Sequence, residues 1–156
     1  MQDRLTVAFD ADDTLWHNER AFADAEHQFN EMVSPWADAD QAQKVLIETE
    51  RARVATYGYG VKSFALSMID AACELSNDEI PATTLRKIVK TADELLSMPT
   101  VLIDGALDVL QQVSARFPTM IITKGDLHHQ LRRVAEVEVA KPVSYTHLTL
   151  PTICSV

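Results

Sequence analysis

The chain has 156 residues, of which 47% are hydrophobic, and its formal net charge is -9 at pH 7. That length suits one domain with a real core, or a domain with an insertion, and the acidic balance argues against nonspecific binding to nucleic acid or to an anionic membrane. Two distant cysteines and the absence of a signal-like or membrane-spanning apolar run predict a cytoplasmic protein without a disulfide framework.

The first predicted element is a strand from Leu5 to Phe9, buried on both faces, that ends in three aspartates within four positions. In parallel α/β sheets ligands bind at the carboxyl ends of strands, and alternation along the chain puts Asp10 and Asp12 on one side. Two such carboxylates repel unless a cation lies with them or one is protonated, and Mg²⁺ prefers oxygen ligands. One carboxylate could then attack phosphorus while the other exchanges protons. The alternative is that Asp12 and Asp13 cap a turn and face solvent.

Residues 18–98 show the apolar spacing of four amphipathic helices and are predicted to form an all-helical insertion. The predicted helices are one capped by Asn18 and stopped by Pro35, one from Asp40 to Thr56, one after Gly60, and one with Pro81 at its first position.

After this insertion the pattern returns to that of an α/β layer structure. A helix capped by Asp104 is followed by a buried strand from Thr119 to Thr123, a turn at residues 124–126 and a short helix from Gln130 to Val134. The Thr123 hydroxyl and the backbone amides of the turn are groups that bind phosphoryl oxygens. The alternative is an ordinary turn in which Asp126 caps the next helix.

Together, the segments FDADDTLW and IITKGD resemble the first two motifs of the haloacid dehalogenase-like (HAD) hydrolase superfamily. The helical stretch lies where subfamily I members carry a helical C1 cap, and LIDGALDVLQQV resembles the return from cap to core. The resemblance implies an α/β fold with a HAD-like Rossmannoid core, incomplete here, and an all-helical cap insertion. It implies core residues 1–17 with the first motif, a cap at 18–98, and core residues 99–141 with the second motif.

The same resemblance implies roles for the matching residues. Asp10 would be the nucleophile and a Mg²⁺ ligand, and Asp12 the general acid/base that also binds Mg²⁺ through its carbonyl. Thr123, with Lys124 and Gly125, would bind the phosphoryl group, and Thr14 would support the loop. The implied activity is Mg²⁺-dependent hydrolysis of a small phosphorylated metabolite, as in phosphoglycolate phosphatases, through an aspartyl-phosphate.

The third and fourth motifs of the superfamily are not clearly present. Lys141 is a candidate for the third-motif lysine, but no acidic residue follows it, so the fourth-motif acidic pair is absent. Residues 142–156 resemble the in-frame translation of a sequencing adapter, so we assign no function to His147 or Cys154. The sequence therefore predicts that this chain alone is poorly folded and inactive or nearly so.

Three other interpretations stay open. A non-catalytic module could use the cap helices to bind a partner and keep the aspartates as a vestigial cation site. A phospho-accepting receiver domain fits the acidic cluster but not the helical insertion, and a 2-haloacid dehalogenase is disfavoured by the acid at Asp12.

Trp16 and His17 stand between core and cap and could contact substrate, although hinge packing for Trp16 and solvent exposure for His17 are favoured. Substrate identity and oligomeric state are not predicted.

Overall fold

The computed structural model describes residues 5–137, Val139 and the backbone of Tyr145–Thr149. Lys141 and most of the segment 142–156 lie outside the described residues. The elements in chain order are β1 (Val7–Phe9), α1 (Glu19–Val33), α2 (Ala39–Tyr57), α3 (Val61–Leu75), α4 (Ala82–Ser97), α5 (Ala106–Ser114), β2 (Thr119–Lys124), α6 (Leu127–Glu136) and β3 (Tyr145–Thr149). This mixture of helices with a small parallel sheet confirms the predicted α/β class.

The sheet has the order β1-β2-β3, and both strand pairs are parallel. Phe9 pairs with Ile121, and Thr123 pairs with Leu148. In the described part of the sheet β1 is an edge strand, with Ala8 exposed and Val7 and Phe9 half-buried. The prediction of a strand buried on both faces is therefore wrong for β1, because only β2 covers it within these residues. The strand is also shorter than predicted, since it begins at Val7.

The chain divides into two compact units. The first contains residues 5–19 and the described residues from Pro99 to Thr149. Its core gathers around β2, where Ile121 is fully buried, and includes the fully buried Trp16. The other core residues of this unit are Ala11, Leu15, Ala106, Leu110, Val134 and Val139.

The second unit contains Arg20–Met98 and is entirely helical. Each of its four helices buries an apolar stripe, as the spacing predicts. Phe22 and Phe64 pack with ring centroids 5.3 Å apart in a tilted arrangement. The largest fully buried side chains of this unit include Phe29, Leu46, Met68 and Ile88. No helix in the described residues has the length and apolar character needed to cross a membrane.

Several predicted helix caps differ from the observed ones. Asn18 directly precedes α1, as predicted for an N-cap residue, but Asp13 accepts the hydrogen bonds from the Asn18 and Glu19 amides, and Asn18 Oδ1 accepts from Arg133 Nη1. Asp104 does not cap α5, which starts after Gly105 in a left-handed conformation with φ of 79° and no side-chain cap. Pro81 is the N-cap residue of α4 rather than its first helical residue.

Glu50 of α2 is expected to make the free energy of unfolding of the helical unit depend on pH. Its burial, and then the charge of Glu26, raise the pKa of this carboxyl above 4.5. At low pH, where Glu50 is protonated in both the folded and the unfolded protein, its raised pKa does not change the free energy of unfolding. Once the pH exceeds the pKa of Glu50 in the folded protein, the full loss of stability is present. Glu50→Gln is therefore expected to raise the free energy of unfolding at pH 7 by about 0.5 kcal/mol or less. The gain should vanish below pH 4.5, as measured by urea denaturation.

Glu48→Gln is the matched control, since Glu48 is an exposed glutamate on the same helix. The same pH profile for both variants would contradict this account of Glu50.

Candidate active site

The carboxyl ends of β1 and β2 lie at the same edge of the sheet, because the two strands are parallel and Phe9 is in register with Ile121. Asp10 follows β1 directly and is exposed. Thr123 lies near the end of β2, is 1% exposed, and its Oγ1 donates to the Lys124 carbonyl at 3.4 Å. The architecture thus brings the ends of both predicted motifs to one edge.

The loop after Asp10 folds back on itself in a tight turn. The amides of Thr14 and Leu15 donate to the Ala11 carbonyl at 3.2 and 2.8 Å, and the Asp13 amide donates to the Trp16 carbonyl at 2.8 Å. Asp13 takes a positive φ of 56°, a conformation that aspartate tolerates better than most residues. Thr14 is exposed, and its backbone amide helps to close the turn. The turn also buries Trp16 beneath the loop.

Asp12 is held by three donors from two parts of the chain. Its Oδ1 accepts from Trp16 Nε1 at 2.8 Å and from Arg133 Nη1 at 2.9 Å. Its Oδ2 accepts from Gln130 Nε2 at 2.8 Å. The side chain keeps 24% of its surface exposed, so the carboxylate is fixed in direction yet remains at the surface of the site.

Asp13 has a separate structural role at the beginning of α1. Its carboxylate oxygens accept from the amides of Asn18 and Glu19 at 2.9–3.1 Å. The first backbone amides of a helix have no hydrogen-bond acceptor within the helix, and Asp13 supplies one. Its negative charge also interacts favourably with the positive end of the helix dipole. The turn-capping alternative therefore describes Asp13 but not Asp12.

The turn after β2 passes close to the Gln130 side chain of α6. Gly125 has a φ of 122°, and a Cβ added there would lie 3.3 Å from Gln130 Nε2, which donates to the Lys124 carbonyl at 3.1 Å. Lys124 itself is exposed. Asp126 caps α6 by accepting from the His129 amide at 3.0 Å, which confirms the capping interpretation of that residue.

His129 is a half-buried titratable side chain whose pKa responds to the charge of Asp12. Burial, followed by the charges of Arg133 and Arg132, lowers the pKa of this half-buried imidazole below 6.5. This shift favours the uncharged imidazole, and the positive charge that pairs with Asp12 comes from Arg133.

The donor set partly fits a Mg²⁺ ion. Asp10 is an exposed carboxylate at the strand end, and the loop's own hydrogen bonds accept at the Ala11 and Trp16 carbonyls, which leaves the Asp12 carbonyl unused by them. Mg²⁺ often takes only one or two protein oxygens, with water and substrate phosphate. Among the described residues no group of three or more His, Cys, Asp or Glu side chains could hold a metal, so further acidic ligands would come from outside them.

Sequence reasoning missed two residues of α6 that contact Asp12. Gln130 and Arg133 are three positions apart, on one face of the helix, and both are buried. The available signal was a pair of long polar side chains on the inward face of a helix that follows the second motif. Lys141, the candidate third-motif lysine, lies outside the described residues.

Neither a protein-family model nor a curated protein sequence matches the chain significantly. Several solved structures do. A haloacid dehalogenase-like family hydrolase from Xanthomonas campestris is 30% identical, with a TM-score of 0.88, over 96% of this chain and 64% of its own. YfnB from Bacillus subtilis, described as a HAD-hydrolase bound to magnesium, has a TM-score of 0.58 at 20% identity, over 93% of this chain and 65% of its own. A predicted phosphoglycolate phosphatase from Haemophilus somnus has a TM-score of 0.54 at 15% identity, over 98% of this chain and 66% of its own.

These similarities confirm the predicted HAD-like fold. The chain spans less than two thirds of the length of each of the three structures.

Proposed function

This chain belongs to the haloacid dehalogenase-like (HAD) hydrolase superfamily, and we propose on that premise that the intact protein is a Mg²⁺-dependent phosphatase. Its substrate class would be small phosphorylated metabolites, and the reaction would pass through an aspartyl-phosphate on Asp10. The observation that carries the proposal is the pairing of an exposed carboxylate, Asp10, with a second carboxylate, Asp12, held two residues away by three hydrogen bonds.

The two carboxylates have environments that suit different tasks. Asp10 is exposed at the end of β1, where a nucleophile must be reached by substrate. Asp12 is fixed in direction, as a group that delivers a proton to a leaving oxygen must be. After the leaving group departs, the same carboxylate would take a proton from water, which then releases phosphate from Asp10.

The end of β2 would hold the phosphoryl oxygens. Thr123 supplies a hydroxyl, and the turn at Lys124 and Gly125 supplies backbone amides near the N-terminus of α6. Asp10 and the Asp12 carbonyl would hold Mg²⁺, which would neutralise negative charge on the phosphoryl group. The acid at Asp12 supports phosphate-ester hydrolysis over carbon–halogen cleavage, because an alkoxide leaving group needs a proton.

Metal removal tests the proposal directly. The intact protein is expected to hydrolyse p-nitrophenyl phosphate with added Mg²⁺, to lose that activity in EDTA, and to regain it when Mg²⁺ is restored. The rate of nitrophenol release is the measurement, and circular dichroism in both conditions checks that the protein stays folded.

Two outcomes would count against the proposal. Hydrolysis that continues at the same rate in EDTA would exclude the Mg²⁺-dependent mechanism. A folded protein that is inactive in both conditions would favour the non-catalytic binding module, and stable labelling by acetyl phosphate without turnover would favour the receiver domain.

A further inference from the structure

Arg133 is unusual among the charged side chains described in this structure because it is buried. Its side chain is 7% exposed where it pairs with Asp12, and a buried charge of this kind is normally retained only with close partners. Burial lowers the pKa of the guanidinium, and the charge of Asp12 opposes that shift. Arginine remains protonated under such conditions, so the group stays a cation.

The guanidinium connects Asp12 to the segment that follows Trp16. Its Nη1 donates to Asp12 Oδ1 at 2.9 Å and to Asn18 Oδ1 at 2.6 Å, while Nη2 donates to the His17 carbonyl at 2.8 Å. The guanidinium carbon lies 5.0 Å from the centre of the Trp16 ring, in cation–π geometry. Arg133 is therefore held on several sides, and it cannot turn away from Asp12 without losing these contacts.

The two oxygens of Asp12 are held unequally. Within the described residues, Oδ1 accepts from two donors, the Arg133 guanidinium and the Trp16 indole, whereas Oδ2 accepts from one neutral donor, the Gln130 amide. Each carboxylate oxygen has two lone pairs, so the two donors on Oδ1 occupy both of its sites, whereas Oδ2 keeps one site for a proton. The charged donor is also on Oδ1, and hydrogen bonds from charged donors are the stronger ones, so Oδ1 is the oxygen that is held more firmly.

We propose that Arg133 is a positioning residue that anchors Asp12 through Oδ1 and leaves Oδ2 as the oxygen that carries the proton. Oδ2 gives its proton to the leaving oxygen as the phosphorus–oxygen bond breaks, and it takes a proton from the attacking water in the second step. The inference rests on the proposed phosphatase function. Lysine could pair with Asp12 but lacks the planar fork that reaches His17 and Asn18 at the same time.

The test compares two substrates that differ in their need for an acid. Glycerol 2-phosphate has a poor leaving group that must be protonated, whereas p-nitrophenolate leaves without much help. The parameter compared is kcat/KM, which reports the step in which the leaving group departs, because the second step is the same for both substrates. Arg133→Met is expected to lower kcat/KM for glycerol 2-phosphate by roughly 10²-fold or more, and kcat/KM for p-nitrophenyl phosphate by about 10-fold or less. Arg133→Lys should give the same preference with smaller losses.

Arg132→Met is the matched control, because Arg132 is the neighbouring arginine on α6 and pairs with Glu136 instead, at 3.4 Å. It should leave kcat/KM for both substrates within about 2-fold of the wild type, since an ion pair whose two side chains each keep 35% of their surface exposed contributes little. If Arg133→Met does not fold, Arg133→Lys decides the question.

The failures of the two proposals are distinguishable. No Mg²⁺-dependent turnover in the wild type overturns the proposed function, and this inference with it. The positioning role alone is overturned if Asp12→Asn loses more activity toward glycerol 2-phosphate than toward p-nitrophenyl phosphate but the Arg133 variants do not. In that case the Arg133 variants lose activity equally toward both substrates, or lose none.

Discussion

Replacing Asp10 with asparagine is expected to lower kcat for p-nitrophenyl phosphate by roughly 10³-fold or more in the intact protein. Asparagine has almost the same shape, but its amide is not a nucleophile toward phosphorus. Asp10 is exposed after the last residue of β1, so the change should leave the fold intact. Initial rates with saturating Mg²⁺ measure the effect, and a mass increase of one phosphoryl group on the wild type but not on Asp10→Asn would identify the labelled residue.

Asp13→Asn is the matched control for this experiment. Asp13 lies three positions along, and its carboxylate caps α1 at a positive φ that asparagine also tolerates. An asparagine keeps one acceptor oxygen for the Asn18 and Glu19 amides, so the expected cost is about 1 kcal/mol or less. Its kcat should stay within a few-fold of the wild type. Equal losses of kcat in the two variants would mean that the aspartates act through the loop's structure rather than through nucleophilic attack.

The helices of this chain were predictable because each carries its own local pattern. In α3 the apolar residues Val61, Phe64, Met68 and Ala72 recur at helical spacing, and all four are buried. The ends of helices were less predictable, because caps depend on which nearby acceptor reaches the first amides. Asn18 and Asp104 both have suitable side chains, but Asp13 bonds the first amides of α1 and a left-handed Gly105 leads into α5.

The candidate site was predictable only where its residues follow strands directly. Asp10, Asp12 and Thr123 stand at strand ends in the sequence, and the parallel pairing brings those ends to one edge. Gln130 and Arg133 are separated from Asp12 by 118 and 121 residues, so no local pattern joins them to it. Their contacts arise from the packing of α6 against the first loop, which a single sequence does not specify.

Replacing Trp16 with alanine is expected to lower the free energy of unfolding of the first unit by about 3–5 kcal/mol. Trp16 is fully buried in the core of that unit, so the change leaves a large cavity. It also removes the indole donor to Asp12 Oδ1 and the ring beneath the Arg133 guanidinium. Domains of this size are stable by only about 5–15 kcal/mol, so such a loss should unfold much of the unit.

Trp16→Phe separates packing from hydrogen bonding. Phenylalanine fills most of the cavity but cannot donate to Asp12, so the expected loss is about 1–3 kcal/mol, smaller than for alanine. In the Trp16 variants, Trp36 fluorescence follows the helical second unit, and circular dichroism follows the helices of both units. In urea titrations, a transition seen by circular dichroism but not by Trp36 fluorescence therefore belongs to the first unit. If Trp16 served mainly to contact substrate, both variants would keep their free energy of unfolding and show a higher KM. That result would contradict the packing role. A large loss of stability with alanine and a small one with phenylalanine would establish that the packing of this buried ring stabilises the loop of the first motif.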